Sequence, residues 1–228
     1  MGVDLASAFC MTFETTSLQR HAQIELPESD QGTLYIVRDG AVMVHLLFPD
    51  GRRNVLDFRY EGELFYTAHN GKRAGTTLQA IDATKLMMIS QETIAELSLD
   101  FPEIVHKLVI LAAAQIEESA VHNLILNRLT AEERISSFLL NLAIRTGRQL
   151  IDRIEFILPM NRADIADFLG LNAETVSRVL TRLKKSGIIE LPRPGEAYVE
   201  DLPRLASLTP IASAIAGNEQ IGKKVVFS

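Results

Sequence analysis

The sequence predicts an α+β fold: an N-terminal antiparallel β-roll, one long helix, and a C-terminal part built from short helices and a β-hairpin. Three observations predict it. Residues 19–89 run as short apolar stretches separated by turn residues. Residues 103–128 contain neither Gly nor Pro and repeat apolar side chains at helical spacing. Residues 161–187 read as two short helices broken at Gly170.

The β-half rests on turn chemistry. "TLYIVRDGAVMVHLLFPDGRRNVLDF" carries runs rich in Val, Ile, Leu and Tyr, interrupted by Arg38-Asp39-Gly40 and Pro49-Asp50-Gly51. Gly accepts positive φ and Asp tolerates it, so both Asp-Gly steps mark hairpins. Further strands are expected at Glu63–Tyr66, Thr76–Ile81 and Lys85–Ile89, with the first at about Gln19. Many short strands at regular spacing form a small sandwich or barrel-like roll.

The pattern changes after Ser90. "SQETIAEL" opens with Ser90 as N-cap, and Thr93 stands where a capping box has an acid. Pro102 suits the first turn of the long helix, with Asp100 as its cap. One stripe along that helix is Val105, Val109, Ala112, Ile116, Ala120 and Leu124. A second is Ile104, Leu108, Leu111, Gln115, Glu118 and His122, apolar early and polar late. The first stripe covers about five turns, more than one small domain usually needs, which points to packing against another protomer or a bridge between domains, with a core helix of this chain alone as the alternative. Thr130 and Glu133 make a capping box for the next helix. Its apolar face is Ile135, Phe138, Leu139 and Leu142, and Gly147 ends it. "DRIEFILPM" then reads as a strand.

The stretch "NRADIADFLGLNAETVSRVLTRLKKSG" has the parts of a helix-turn-helix. Asn161 caps Arg162–Leu169, and Asn172 caps Ala173–Lys185. Ala166 is small where the helices cross, and Gly170 permits the left-handed bend. Ile165, Leu169, Leu171, Val176 and Val179 supply the inner faces. With Val176, Val179, Leu180 and Leu183 inward, Glu174, Ser177, Arg178, Thr181 and Arg182 point outward. The first three lie near the N-terminal end, the part of such a helix that reads base edges in the major groove. Arg bonds guanine O6 and N7 bidentately, Glu accepts from cytosine N4, and Ser serves as a hydroxyl partner. Arg162, Thr175, Thr181, Arg182, Lys184 and Lys185 are expected to meet phosphates. Beyond Gly187, "IIELPRPGEAYVED" reads as strand, turn and strand, a wing with Arg193 at its tip facing the phosphate backbone. The C-terminal element is therefore a winged helix-turn-helix.

Composition limits the alternatives. The 228 residues are 47% hydrophobic and carry a formal charge of -6. That balance opposes nonspecific coating of nucleic acid but allows a local cationic face. Apolar runs such as Leu108–Ala114 are too short to span a membrane. The start "MGVDLASAFCMTFETT" lacks a secretory pattern, and Gly2 alone does not make a lipidation site, so a cytoplasmic location is expected. The single cysteine, Cys10, cannot form a disulfide within the chain or hold a zinc or iron–sulfur site. No nucleophile–base pair, phosphate-cradling glycine loop or metal-ligand cluster appears, so catalysis is not expected.

With these parts in this order, the chain resembles the CRP/FNR family of bacterial transcription regulators. "LPMNRADIADFLGLNAETVSRVLTRLKKSGIIEL" is similar to the FixK-like and FNR-like branches. The resemblance implies a cyclic-nucleotide-binding-like jelly roll over residues 1–101 and a dimerisation helix over 102–129. It implies a DNA-binding domain with a C-terminal tail over 130–228. It also implies a homodimer on double-stranded DNA, reading a TTGA-type inverted repeat through Glu174, Ser177 and Arg178, and contact with RNA polymerase. An FNR-type cluster is excluded by the lone cysteine, and no cofactor is expected. Cyclic-nucleotide sensors of the family grip ribose with Gly-Glu and phosphate with Arg-Ser. Here Gly62, Glu63 and Arg73 stand at that spacing, Ala74 replaces the serine, and Ser119 is placed to face such a pocket. Cyclic-nucleotide response therefore stays open as the alternative. So does haem or gas response, although His21, His45, His69, His106 and His122 lie in no ligand-type motif.

Overall fold

The structure, a computed structural model, describes residues 14–26, 32–67 and 76–217. It divides into two compact units between Ile116 and Glu117.

The first unit holds eight strands among its described residues: β1 (Glu14–Leu18), β2 (Gln23–Glu25), β3 (Thr33–Asp39), β4 (Ala41–Leu47), β5 (Arg53–Tyr60), β6 (Leu64–Thr67), β7 (Thr76–Ala80) and β8 (Thr84–Ser90). They form two antiparallel four-stranded sheets, ordered β1-β8-β3-β6 and β2-β7-β4-β5. Gly40 and Gly51 turn the hairpins at φ 83°, as the Asp-Gly steps require. Strand β3 has both faces buried, which explains its unbroken apolar sequence. Tyr35 and Val37 point into the roll with Val42, Phe65 and Leu78. Leu34 and Ile36 point the other way, onto Ile94 of α1 (Gln91–Asp100) and onto Ile104 and Leu111 of α2 (Glu103–Arg128).

Helix α2 therefore uses its second stripe for its own core. The first stripe is left outside: Val105 is 50% exposed, Val109 61%, Ile116 71% and Leu124 42%. Ala112 and Ala120 are exposed with them. Ser90 caps α1 by accepting from the Thr93 N–H.

Two boundaries differ from the sequence expectation. Asp100 is the last residue of α1 and caps nothing; α1 closes when the Phe101 N–H donates to the Leu97 carbonyl, and α2 begins at Glu103. Strand β1 lies ahead of Gln19, formed by "ETTSL" along β8. Its Thr-Thr pair favours extended backbone, but it has no apolar alternation to announce it.

The second unit carries α3 (Ala131–Thr146), β9 (Arg148–Gln149), β10 (Ile154–Leu158), α4 (Arg162–Leu169), α5 (Ala173–Lys185), β11 (Ile189–Glu190), β12 (Gly195–Val199) and α6 (Leu202–Ser207). The sheet is ordered β11-β12-β10-β9. The Thr130–Glu133 capping box is complete, and Ile135, Phe138, Leu139 and Leu142 are buried. Gly147 ends α3 with extended backbone, φ -74°. What it supplies is room: a Cβ there would lie 1.9 Å from the Ala143 carbonyl oxygen and 2.6 Å from Ile154 Cγ2. Sequence patterning missed β9, two residues held only by pairing with β10, and it missed α6.

Candidate nucleic-acid interface

The helical pair is built from local chemistry. Asn161 and Asp164 form a reciprocal cap: the Asp164 N–H donates to Asn161 Oδ1 at 3.0 Å and the Asn161 N–H to Asp164 Oδ2 at 3.2 Å. Gly170 takes φ 61°, ψ 40°, the left-handed bend that ends α4, and its N–H returns to the Ala166 carbonyl. Asn172 then caps α5, accepting from the Thr175 N–H at 2.7 Å.

Packing decides which face of α5 is presented. Val176, Val179, Leu180 and Leu183 are 4% exposed or less. At about 1.5–3 kcal/mol for each buried side chain, they hold the helix against rotation. Glu174, Ser177, Arg178, Thr181, Arg182, Lys184 and Lys185 are exposed, and Thr175 is half-buried. The residues predicted for base reading thus share one free surface. Arg178 Nη2 donates to Thr175 Oγ1 at 3.2 Å. Ser177 Oγ donates to the Ala173 carbonyl and Thr181 Oγ1 to the Ser177 carbonyl, each at 2.8 Å. Both hydroxyls spend their proton on the helix and turn lone pairs outward, so each offers an acceptor.

Beside them lies a shallow concavity lined by Arg162, Ser177, Leu180, Thr181, Lys184 and Leu191. Arg162 is half-buried, and desolvation lowers the pKa of its guanidinium. An arginine nonetheless stays charged at neutral pH. The Lys184 ammonium and the half-buried Arg162 guanidinium together make a seat for an anion.

Arg182 is engaged elsewhere. Its Nη1 lies 2.7 Å from Glu132 Oε2 in the first turn of α3. Sequence reading missed this acid, since no local pattern joins positions 50 apart. Arg193 sits on the β11–β12 hairpin, well exposed, with Glu196 at 3.8 Å. Arg153 fastens that hairpin from below. It lies 4.1 Å over the Tyr198 ring and bonds Glu190 at 3.3 Å and Glu200 at 3.2 Å. The Glu200 hydrogen bond raises its pKa.

Of the residues suggested for an effector pocket, Gly62, Glu63 and Ser119 lie among the described residues. Gly62 turns β5 into β6 at φ 82°, and Glu63 Oε2 accepts from the Tyr60 N–H at 3.2 Å, so its carboxylate closes its own turn. Ser119 is exposed on α2. Arg73, His69, Cys10 and the tail beyond residue 217 lie outside the described residues. His21 holds a positive φ of 69°, His45 is buried in β4, His106 is exposed, and His122 stacks on Phe168. Among the described residues no group of three or more His, Cys, Asp or Glu could hold a metal ion, and no helix is long and apolar enough to cross a membrane.

Comparison with known proteins agrees with this geometry. The Crp-like helix-turn-helix domain matches residues 133–208. The nitrogen fixation regulation protein FixK of Azorhizobium caulinodans is 35% identical over 190 residues, 83% of this chain and 76% of that protein. The transcriptional activator protein FnrA of Stutzerimonas stutzeri is 32% identical over 159 residues, 69% of this chain and 65% of that one. The solved structure of FixK2 from Bradyrhizobium japonicum superposes with a TM-score of 0.76 at 28% identity, covering 87% of this chain and 98% of that chain. The helix-turn-helix domain and this likeness over most of the chain together show that the protein belongs to the CRP/FNR family of DNA-binding transcription regulators and stands close to FixK.

Proposed function

We propose that the protein acts as a homodimer on a TTGA-type inverted repeat, FixK-like and without an iron–sulfur cluster, as an activator that contacts RNA polymerase in the cytoplasm. The observation that carries the reading is the joint exposure of Glu174, Ser177 and Arg178 on one face of α5, held outward by the buried row opposite. Arg178 has the fork for guanine, Glu174 accepts from cytosine N4, and Ser177 offers an acceptor to a base amino group. Arg162, Thr175, Arg182, Lys184 and Lys185 fit phosphates flanking that contact, Thr181 joins them by turning its proton from the Ser177 carbonyl to the phosphate, and Arg193 fits a phosphate beside the wing.

The exposed stripe of α2 supports the dimer. Six apolar positions over about five turns are left to solvent on one face, and a second copy buries them. In this reading residues 1–101 are the effector domain, 102–129 the dimerisation helix and 130–228 the DNA-binding domain with its tail. Activation follows the name carried by FnrA. The lone cysteine in 228 residues leaves the chain short of the four thiolates a cluster takes.

Footprinting on a TTGA-N6-TCAA duplex tests the proposal. A protected palindrome is expected, and Arg178→Ala is expected to lose ~1–3 kcal/mol of discrimination at a single base pair. Unchanged base preference in that variant would count against the assignment.

A further inference from the structure

The end of α4 is fastened from two sides. Four carbonyls at a helix C-terminus have no partner within the helix and must find one elsewhere. In α4 the Ala166 carbonyl accepts from the Gly170 and Leu171 N–H groups. The next two partners come from other elements. The Leu169 carbonyl accepts from Arg134 Nη1 of α3 at 2.9 Å. The Phe168 carbonyl accepts from the ring of His122 on α2. The same imidazole stacks on the Phe168 ring, centroids 4.2 Å apart and planes 22° from parallel, and Phe138 of α3 meets the Phe168 ring at 5.8 Å, tilted by 59°. Arg134 also donates through Nε to the Leu129 carbonyl at 2.9 Å, tying the end of α2 into the same knot. A side chain at Gly170 would touch Arg134 Nη1 at 3.5 Å and Leu126 Cδ2 at 3.8 Å, so the turn of the motif lies against this clamp.

Helix α2 carries two faces here. His122, Ile125, Leu126 and Leu129 turn inward, Ile125 and Leu129 being buried, while Ala120 and Leu124 lie on the exposed stripe. Positions 122 and 124 are separated by about 200° around the helix. After Glu117 the helix thus carries the proposed seam on one side and the helix-turn-helix on the other.

We propose that His122 and Arg134 are positioning residues that set which half-site spacing the dimer accepts, by pinning the C-terminal carbonyls of α4 to the helix that carries the dimer seam. The inference rests on the dimeric DNA-binding reading above. Half-site separation mirrors recognition-helix separation, so a loosened clamp widens the range of spacings that bind while leaving the base-reading face intact.

The test uses the full chain and duplexes with identical TTGA and TCAA half-sites whose spacer is six base pairs or one pair shorter or longer. The wild type is expected to prefer one spacer. His122→Phe keeps the stack and loses the donor, and Arg134→Gln removes the cationic fork. Each is expected to shrink the spacer preference by roughly fivefold, the worth of one hydrogen bond, with base preference inside the half-site unchanged. His122→Gln, which restores a neutral donor, is expected to recover part of the preference. If His122→Phe binds the preferred spacer with an unchanged spacer profile, or if it weakens all spacers by the same factor, the inference is overturned. Absence of wild-type binding to every duplex would instead overturn the functional reading, and the inference with it.

Discussion

Glu132→Gln is predicted to tighten DNA binding, although residue 132 lies on a different helix from the recognition helix. Its carboxylate holds Arg182 at 2.7 Å, with the two side chains 36% and 62% exposed. An ion pair that open to solvent is worth about 0.2–1 kcal/mol. Arg182 gives up that energy when it turns to a phosphate, once in each subunit, so a dimer loses about 0.4–2 kcal/mol. At 1.4 kcal/mol per tenfold, removing the competitor tightens binding by roughly 2- to 30-fold. The substitution also removes a negative charge from each protomer beside the contact face. The slope of log K against log salt therefore becomes steeper, by up to about 0.9 per protomer. The assay is fluorescence anisotropy on a labelled operator and on a scrambled duplex, from low to near-physiological salt. In an Arg182→Ala background, Glu132→Gln should change little, because the partner it releases is gone. The cost to α3 is separate: losing an acid from the first turn lowers stability by about 0.3–1 kcal/mol, which thermal melting measures. Unchanged affinity and unchanged salt slope in Glu132→Gln, with Arg182→Ala weakening binding, would refute the reasoning.

Three further outcomes are expected. Ile116→Asp, at a stripe position 71% exposed in the single chain, should raise the dimer dissociation constant on the order of 100-fold or more, since an unpaired charge in a seam costs several kcal/mol; analytical ultracentrifugation measures it. Gly147→Ala should destabilise the second unit by about 1–3 kcal/mol in urea, because its Cβ would sit 1.9 Å from a backbone oxygen that cannot swing aside. Burial lowers the pKa of His122, and its bond to the Phe168 carbonyl only partly opposes that shift. The neutral ring's contribution is thus complete above the ordinary histidine pKa of about 6.5 and is lost as pH falls through the depressed folded value. Melting curves should show acid destabilisation that His122→Phe reduces.

How much was readable from the residues alone depends on how far each feature reaches along the chain. The caps at Ser90, Thr130, Asn161 and Asn172 each join positions three residues apart, and all four form as read. Gly170 lies at the left-handed bend because only local sterics decide that angle. The outward row of α5 followed from helical spacing once Val176, Val179, Leu180 and Leu183 were assigned inward. Strand β3 read as apolar throughout, and burial on both faces accounts for it.

Sequence by itself therefore determined the main helices, the Asp-Gly hairpins, the helix-turn-helix and the face it presents, since all of these are written in spacings of a few residues. Tertiary structure decided what no spacing records. The strands β1 and β9 exist by pairing with β8 and β10. Glu132 occupies Arg182 from 50 residues away, and Arg134 reaches Leu169 from 35 away. The glycine at 147 answers to crowding by Ile154 as well as by its own helix. Local backbone preference encodes the first set of features. The second arises only when chain folding brings distant groups within a few ångströms, where a charge, a carbonyl or a methyl group acts on whatever has arrived beside it.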